Sequence, residues 1–319
     1  MSIRYVIIVL GEPNSVFSEI IGKYKSKKKI LKKRIIIIGN KSLFCKQLKK
    51  LGYFIKINEI KNINEAKVNI INLINIEYKH RKIFSKISTS SSRYIEKCFN
   101  KSLEIIKKYK KECILINGPI SKKTFLKKKY LGITEYLSKK TNCKNEVMLI
   151  YNKKLSVSPI TTHIPVKHVS KNISKKKILN NILSINKFYK ETLNMSAKFA
   201  ILGLNPHCET IDKYSEEDKI ITPTIQKLKK RNVKIEGPFA ADTFFFKDNL
   251  DKFNVVIGMY HDQVLTPIKT IYGFDAINIT LGLPFIRISP DHGPNKNMIG
   301  KNKSSPISLI KALSFLDKR

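Results

Sequence analysis

The chain has 319 residues, and its 62 Lys and Arg against 24 Asp and Glu give a formal net charge of +38 at pH 7. A hydrophobic content of 42% is ordinary for a globular protein and excludes wholesale disorder. The longest apolar runs, such as Val6–Leu10, are far shorter than the roughly 18 residues of a membrane helix, and we expect neither a membrane span nor a signal peptide.

Short β-branched runs alternate along the chain with longer lysine-rich segments of helical character. The predicted strands are Tyr5–Leu10, Arg34–Gly39, Cys113–Asn117, Val147–Tyr151, Leu155–Thr161, Lys198–Leu204, Val255–Met259 and Ala276–Thr280. The predicted helices are Ser42–Leu51, Ser91–Lys111, Lys177–Met195, Pro223–Arg231 and Pro306–Asp317. Continuously apolar strands between helices are typical of a largely parallel sheet in an α/β/α sandwich, which is the fold class that we predict.

Glycines and cysteines exclude several kinds of site. The thirteen glycines include no Gly-x-Gly pair and no Gly-x-x-x-x-Gly-Lys loop, so any nucleotide must be bound without a Rossmann fingerprint or a P-loop. The five cysteines are scattered and form no Cys-x-x-Cys, which favours a reducing compartment, and we expect a cytoplasmic protein.

The charge of +38 has two interpretations. It could attract nucleic acid in a salt-dependent manner, or it could reflect an AT-rich genome, because Lys, Ile and Asn are abundant everywhere and Trp is absent. The lysines are spread along the whole chain without a recognition helix, zinc finger or aromatic RNA-binding motif. We therefore favour codon bias and expect no specific nucleic-acid partner.

Three of the six histidines follow predicted strands. His163 follows Ser-Pro-Ile-Thr-Thr, His207 follows Gly-Leu-Asn-Pro, and His261 follows Val-Val-Ile-Gly-Met-Tyr, each in a segment that we interpret as a loop. Ligands of parallel α/β sheets collect beyond the carboxyl ends of the strands. Three neutral imidazoles there would form an open site for a divalent cation, although unrelated loop histidines would leave the same pattern.

Several other polar residues are candidates for the same chemistry. Asp262 is either a hydrogen-bond partner of His261 or a surface carboxylate. Asp242 is either a general acid/base or a helix N-cap, and His292 either contacts a phosphate or caps a turn. The residues that could bind a carboxylate or phosphate are Lys269, Asn278 and Arg287.

Together these segments resemble the 4-hydroxythreonine-4-phosphate dehydrogenase family over most of the chain. The matching pieces, in the family's order, are Gly11-Glu12-Pro13, Asn117-Gly118-Pro119-Ile120-Ser121-Lys122, Thr134-Glu135, Thr162-His163-Ile164-Pro165, Gly203-Leu204-Asn205-Pro206-His207, Gly237-Pro238, Ala241-Asp242-Thr243, Met259-Tyr260-His261-Asp262-Gln263, Asn278 through Arg287, and Asp291-His292-Gly293. One such piece would be weak, but this many in order are specific.

The resemblance implies an isopropylmalate-dehydrogenase-like fold of two α/β/α lobes, with the active site in the cleft between them and shared across a homodimer. We place the first lobe at 1–125 with 295–319 and the second at 126–294. The family's motifs make His163, His207 and His261 ligands of one divalent metal (Zn, Mg or Co). They make Thr134, Lys269, Asn278 and Arg287 substrate contacts, and we assign catalytic roles to Asp242 and Lys269.

The implied reaction is the NAD-dependent oxidation of 4-phosphooxy-L-threonine in pyridoxine 5'-phosphate biosynthesis, with NADP as a possible substitute. The product, 2-amino-3-oxo-4-phosphooxybutanoate, decarboxylates to 3-amino-2-oxopropyl phosphate. The sequence departs from the family where a substrate-binding histidine is replaced by Ile133, and the glycines expected after Gly11-Glu12-Pro13 and after His207 are missing. The alternatives are a metal-free acyl-phosphate acyltransferase of related fold and a basic nucleic-acid-binding protein.

Overall fold

The chain divides into two compact units, which are Met1–Cys143 with Leu283–Arg319, and Lys144–Gly282. The computed structural model describes residues 3–27, 32–126, 129–130, 132–143, 145–209, 214–273, 276–290 and 293–317. The sequence placed the lobe boundaries at 125/126 and 294/295, whereas the units divide after Cys143 and after Gly282. The first unit is therefore discontinuous, and the second is inserted into it.

Strands and helices alternate through both units. The described strands are β1 (Tyr5–Val9), β2 (Arg34–Gly39), β3 (Ile57–Glu59), β4 (Ile71–Asn75), β5 (Cys113–Asn117), β6 (Val147–Tyr151), β7 (Ser156–Thr161), β8 (Lys198–Leu202), β9 (Lys234–Phe239), β10 (Val255–Tyr260), β11 (Ile277–Leu281) and β12 (Ile286–Ser289). The described α-helices are α1 (Phe17–Ser26), α2 (Lys41–Lys50), α3 (Ser92–Tyr109), α4 (Ile133–Lys140), α5 (Val169–Asn172), α6 (Lys175–Leu193), α7 (Thr222–Lys229), α8 (Ala241–Phe244), α9 (Lys247–Leu250), α10 (His261–Tyr272) and α11 (Ile307–Asp317). None of these helices is long and apolar enough to cross a membrane.

The strands of the first unit lie in the order β3-β4-β2-β1-β5-β12, and each neighbouring pair is parallel. The central strands β1 and β5 are buried along their whole length, as expected for a sheet with helices on both faces. Helix α3 packs on this sheet through Tyr94, Ile95, Cys98 and Phe99, which belong to one core cluster with the strand residues. The sheet therefore holds the last residues of β5 and the body of β12 side by side in a dry interior.

The strands of the second unit lie in the order β11-β6-β7-β10-β8-β9. Strand β6 is antiparallel to both β11 and β7, whereas β7, β10, β8 and β9 are parallel from neighbour to neighbour. Helix α6 has Ser174 as its N-cap, whose side chain accepts a hydrogen bond from Lys177 N, and Asn194 as its C-cap in the left-handed conformation. Because four adjacent strands run the same way, their carboxyl ends share one edge of this unit.

The predicted fold class is confirmed, and a strand or helix lies at each predicted position. Four strands, β3, β4, β9 and β12, were not predicted, because polar residues, Gly237-Pro238 or short length interrupt their apolar pattern. The helices that were not predicted are α1, α4 and α10 and the four-residue helices α5, α8 and α9. Helix α10 contains Pro267 in its interior, which normally argues against a helix because proline removes a backbone donor.

Candidate functional site

Four chemically active side chains follow the four parallel strands of the second unit. His163 lies two residues after β7, His261 directly after β10, His207 five residues after β8, and Asp242 three residues after β9. The spatial order of these strands is β7-β10-β8-β9. Since carboxyl ends of parallel strands meet at one edge, the fold collects three imidazoles and one carboxylate into a row. We call these four residues the strand-end row.

His163 and His261 are neighbours in this row. Their ring centroids are 5.9 Å apart, and the ring planes are tilted by 40°. Imidazole nitrogens bind Zn²⁺ at about 2.0–2.1 Å, so two rings at this separation can bind one ion from two sides. The donor chemistry and spacing of this pair fit a divalent cation.

His207, the third imidazole of the strand-end row, lies beside Asp242. Its Nδ1 lies 3.8 Å from Asp242 Oδ2, and the two side chains are 74% and 55% exposed. Within the described ranges, no group of three His, Cys, Asp or Glu side chains is close enough to hold a metal ion. The structure therefore brings together two of the three predicted ligands and places the third beside the predicted acid/base.

The contact between His261 and Asp262 bears on how that imidazole can bind. His261 Nδ1 lies 2.6 Å from Asp262 Oδ1, although the Asp262 side chain is 79% exposed. When Nδ1–H donates to the carboxylate, Nε2 retains the lone pair that a metal requires. Both sequence interpretations of Asp262 thus hold, since it is a surface carboxylate that also orients the histidine.

Two sequence interpretations in this region were wrong. His261 does not lie in a loop, because it is the first residue of α10. Asp242 is not an N-cap, because Ala240 occupies that position of α8 without a side-chain bond and Asp242 lies in the first turn. Lys269 lies near the end of α10, eight residues or about 12 Å along the helix axis from His261. The helix therefore does not bring Lys269 to the histidines.

The first unit contains a buried cationic group around Arg287. Its side chain is 2% exposed, its Nε donates to Asn117 Oδ1 at 2.7 Å, and its Nη1 donates to Thr134 Oγ1 at 2.9 Å. Burial lowers the pKa of Arg287 to about 10, which the nearby Glu135 counteracts, so the guanidinium remains charged at neutral pH. We call Arg287, Asn117 and Thr134 the arginine group.

Two of the predicted substrate contacts, Arg287 and Thr134, thus meet in the arginine group, and the sequence missed Asn117. Asn117 is the last residue of β5, beside β12, and its position after an apolar run was the available signal. The departure at Ile133 also has a place in the fold. Ile133 is partly buried and packs against the core cluster of the first unit, so apolar packing occupies that position.

Asn278 lies on β11 in the second unit, opposite Ile150 of β6. Its Oδ1 is buried and has no hydrogen-bond partner among the residues that the structure describes. A buried carbonyl without a partner costs roughly 1–3 kcal/mol, which favours a role in binding a donor from outside the chain. His292, the remaining candidate, lies outside the described residues.

Comparison with known proteins gives the family whose sequences match this chain. The family described as "Pyridoxal phosphate biosynthetic protein PdxA" matches residues 31–316. A 4-hydroxythreonine-4-phosphate dehydrogenase of Sulfurihydrogenibium sp. is 38% identical over 98% of both chains. A Fusobacterium nucleatum protein named "Putative D-threonate 4-phosphate dehydrogenase" is 31% identical over 98% of this chain and 96% of its own.

Two solved structures are similar to this chain over nearly its whole length. A 4-hydroxythreonine-4-phosphate dehydrogenase from Burkholderia phymatum superposes with a TM-score of 0.83 at 25% identity, covering 99% of this chain and 98% of its own. Isocitrate dehydrogenase from Methylococcus capsulatus gives a TM-score of 0.52 at 10% identity, with 98% of this chain and 85% of its own covered. The second similarity concerns the fold alone and agrees with the predicted isopropylmalate-dehydrogenase-like architecture.

Proposed function

This chain belongs to the PdxA family of pyridoxal phosphate biosynthesis, and we propose that it oxidises the secondary alcohol of 4-phosphooxy-L-threonine with NAD, or with NADP in its place. The product, 2-amino-3-oxo-4-phosphooxybutanoate, then loses CO₂ and leaves 3-amino-2-oxopropyl phosphate. Relatives that are 31–38% identical over 98% of the chain and carry dehydrogenase names support this reaction class over an acyl-phosphate acyltransferase. We also propose a cytoplasmic homodimer.

The observation that carries the proposal is the strand-end row. His163, His207 and His261 would hold one divalent cation in a site that both subunits of the proposed homodimer share, and imidazole ligands suit Zn²⁺ or Co²⁺ better than Mg²⁺. When bound, the cation would supply Lewis-acid polarisation of the alcohol and of the ketone, and NAD would supply the hydride acceptor. The close pair of His163 and His261 supports this assignment.

The residues of the chain would supply binding, orientation and proton transfer. The Arg287 guanidinium and the Thr134 hydroxyl would bind the substrate phosphate, because both can donate hydrogen bonds and Arg287 carries the charge. The buried Oδ1 of Asn278 would accept a hydrogen bond from a substrate donor. Asp242, exposed in the first turn of α8, would accept the proton of the alcohol.

Lys269 has a different role in this proposal. It is exposed near the end of α10, about 12 Å along the axis from His261, which is too far for proton transfer beside that imidazole. We therefore propose Lys269 as a substrate contact that supplies charge.

The direct test is NADH formation from 4-phosphooxy-L-threonine by the purified chain. We expect turnover that a chelator abolishes and that Zn²⁺ or Co²⁺ restores. D-Threonate 4-phosphate should be assayed in parallel, because a relative is named for it. Turnover of D-threonate 4-phosphate alone would reassign the substrate. Full turnover of either compound in the presence of chelator would refute the proposed metal requirement.

The nucleic-acid alternative is tested on the same preparation. Binding that results from the charge of +38 should collapse as salt rises and should not change when the histidines are substituted. A DNA or RNA complex that survives high salt would contradict the assignment of the charge to codon bias.

A further inference from the structure

We propose that Gln263 is a positioning residue that sets the distance between His207 and His261. The proposal rests on the proposed role of these histidines in binding a metal. Gln263 is the third residue of α10 and matches the family's pattern beside His261, but the metal site as assigned above does not use it. Its amide group connects the ends of the two strands that precede the two histidines.

The position of the amide follows from where strand pairing stops. Strands β10 and β8 pair in register from Val255 with Phe199 to Ile257 with Ile201. Continued by two residues, the same register would bring Met259 opposite Gly203. Instead, Gln263 Oε1 accepts a hydrogen bond from Met259 N at 2.7 Å, and Gln263 Nε2 donates one to Gly203 O at 2.7 Å. The side-chain amide is thus inserted where a direct backbone bond would otherwise be expected.

An inserted amide holds two strands apart while it satisfies both of their backbone groups. Only a side chain with a donor and an acceptor on one rigid group can do both, and glutamine provides this combination. Met259 is two residues before His261, and Gly203 is four residues before His207. The amide therefore acts as a spacer at the base of both metal-ligand segments.

The other ends of these segments are fixed independently. On the opposite side of β10, Thr161 Oγ1 donates to Met259 O at 2.7 Å, which ties the end of β7 to the same residue. Gly203 N donates to Phe239 O at 2.9 Å, which ties the segment to the end of β9. Met259 and Gly203 are thus each held on one side by a neighbouring strand end and on the other by Gln263.

The segment from Gly203 to His207 also has little freedom of its own. The buried Glu217 carboxylate accepts hydrogen bonds from Leu204 N at 2.6 Å and from Asn205 N at 2.9 Å. A Cβ at Gly203 would lie 2.6 Å from Cys208 Sγ, so no larger residue fits there without a shift. A segment held in this way behaves as one rigid unit. The hydrogen bonds of the Gln263 amide then determine the position of this unit relative to His261.

The test measures binding of Co²⁺ alone, by the visible absorption of the ion, in the full-length protein. Gln263→Met removes both hydrogen bonds at similar volume, and Gln263→Glu keeps the acceptor but places a carboxylate against Gly203 O. We expect Co²⁺ affinity to fall by about 10–100-fold in both variants, the range typical of partners that orient metal ligands, with an altered absorption spectrum.

Gln47 offers a matched control in the first unit. It is buried, whereas Gln263 is partly buried, and its amide likewise bonds backbone groups of two segments: Nε2 donates to Pro13 O and to Ile83 O at 2.9 Å each. Gln47→Met should lower the thermal midpoint but leave Co²⁺ affinity and spectrum unchanged. A fall in affinity equal to that of Gln263→Met would reduce Gln263 to a general stability role and overturn the proposal.

Two further outcomes separate this proposal from the function on which it rests. Wild-type Co²⁺ affinity in a folded Gln263→Met or Gln263→Glu protein overturns the positioning role alone and leaves the metal site standing. Absence of Co²⁺ binding in the wild-type protein overturns the metal site and the role of Gln263 with it. If Gln263→Met does not fold, Gln263→Glu, which has nearly the same shape, decides the matter in the same way.

Discussion

The arginine group of the first unit and the strand-end row of the second are built in opposite ways. Arg287 is buried, and its guanidinium already donates to an amide and a hydroxyl. His207 is largely exposed, and His163 also lies at the surface. A buried cation must be hydrogen-bonded before any ligand arrives, because a bare charge in a dry interior is unstable. Neutral imidazoles carry no such requirement, so they can face water while the backbone beneath them is fixed.

This contrast predicts that substitutions in the two groups change activity in different ways. Substitution of His207 should have the largest effect. His207→Ala should reduce kcat by more than about 100-fold, because removal of a ligand exceeds the 10–100-fold effect typical of partners around a metal site. The metal content should fall while the circular dichroism spectrum stays unchanged, since the side chain is exposed. His168→Ala, an exposed histidine of the same unit, serves as the control. Near-normal turnover of His207→Ala would contradict its role as a ligand.

Arg287→Lys should give the next largest effect, and it should act on binding. Lysine keeps the charge but cannot contact Asn117 and Thr134 through two arms of one planar group. Loss of a charge-assisted hydrogen bond costs roughly 1.5–3 kcal/mol, which corresponds to a KM about 10–150-fold higher. The control is Arg34→Lys, which replaces an arginine of the same unit that donates to Ala66 O at 3.0 Å. An unchanged KM for Arg287→Lys would remove Arg287 from the substrate site.

Ile133→His changes the neighbour of Thr134 and should have moderate effects. We expect both the stability and the KM to fall. Ile133 packs against the core of the first unit, so a histidine should lower stability by about 1 kcal/mol, measured by urea unfolding. The same change should lower KM several-fold, because it restores a donor at the position where the family has one. An unchanged KM would show that the pocket is arranged without this contact.

Glu12→Gln should have the smallest effect, which concerns the stability of the fold and how that stability depends on pH. Burial raises the pKa of the Glu12 carboxyl, although hydrogen bonds from Asn14 and Ser91 act in the other direction. A group with a raised pKa stabilises the fold below its unfolded pKa, and this stabilisation is lost as pH rises through the folded pKa. Glu12→Gln does not titrate, so its unfolding free energy relative to wild type should increase between pH 4 and pH 7. A difference that is constant with pH would contradict the shift.

The sequence predicted those parts of the site that depend on one segment at a time. Apolar runs located β7, β8 and β10, and the residues just beyond them gave His163, His207 and His261. Contacts between distant segments were not predictable in this way. Asn117 and Arg287 are 170 residues apart, and their meeting depends on the order of strands in the sheet. Gln263 was part of a segment that matches the family, but its role was not predictable, because that role depends on where the pairing of β10 with β8 ends.

The discontinuous first unit has a consequence for synthesis of the chain on the ribosome. Asn117 and Thr134 precede the inserted unit, whereas Arg287 follows it. A nascent chain therefore carries the whole strand-end row before the guanidinium partner of Asn117 has been translated. Until then, the amide and the hydroxyl lack their cation, so the arginine group is completed only when about nine tenths of the chain has been translated. A stop codon just before Leu283 would yield a polypeptide with every proposed metal ligand and no arginine group.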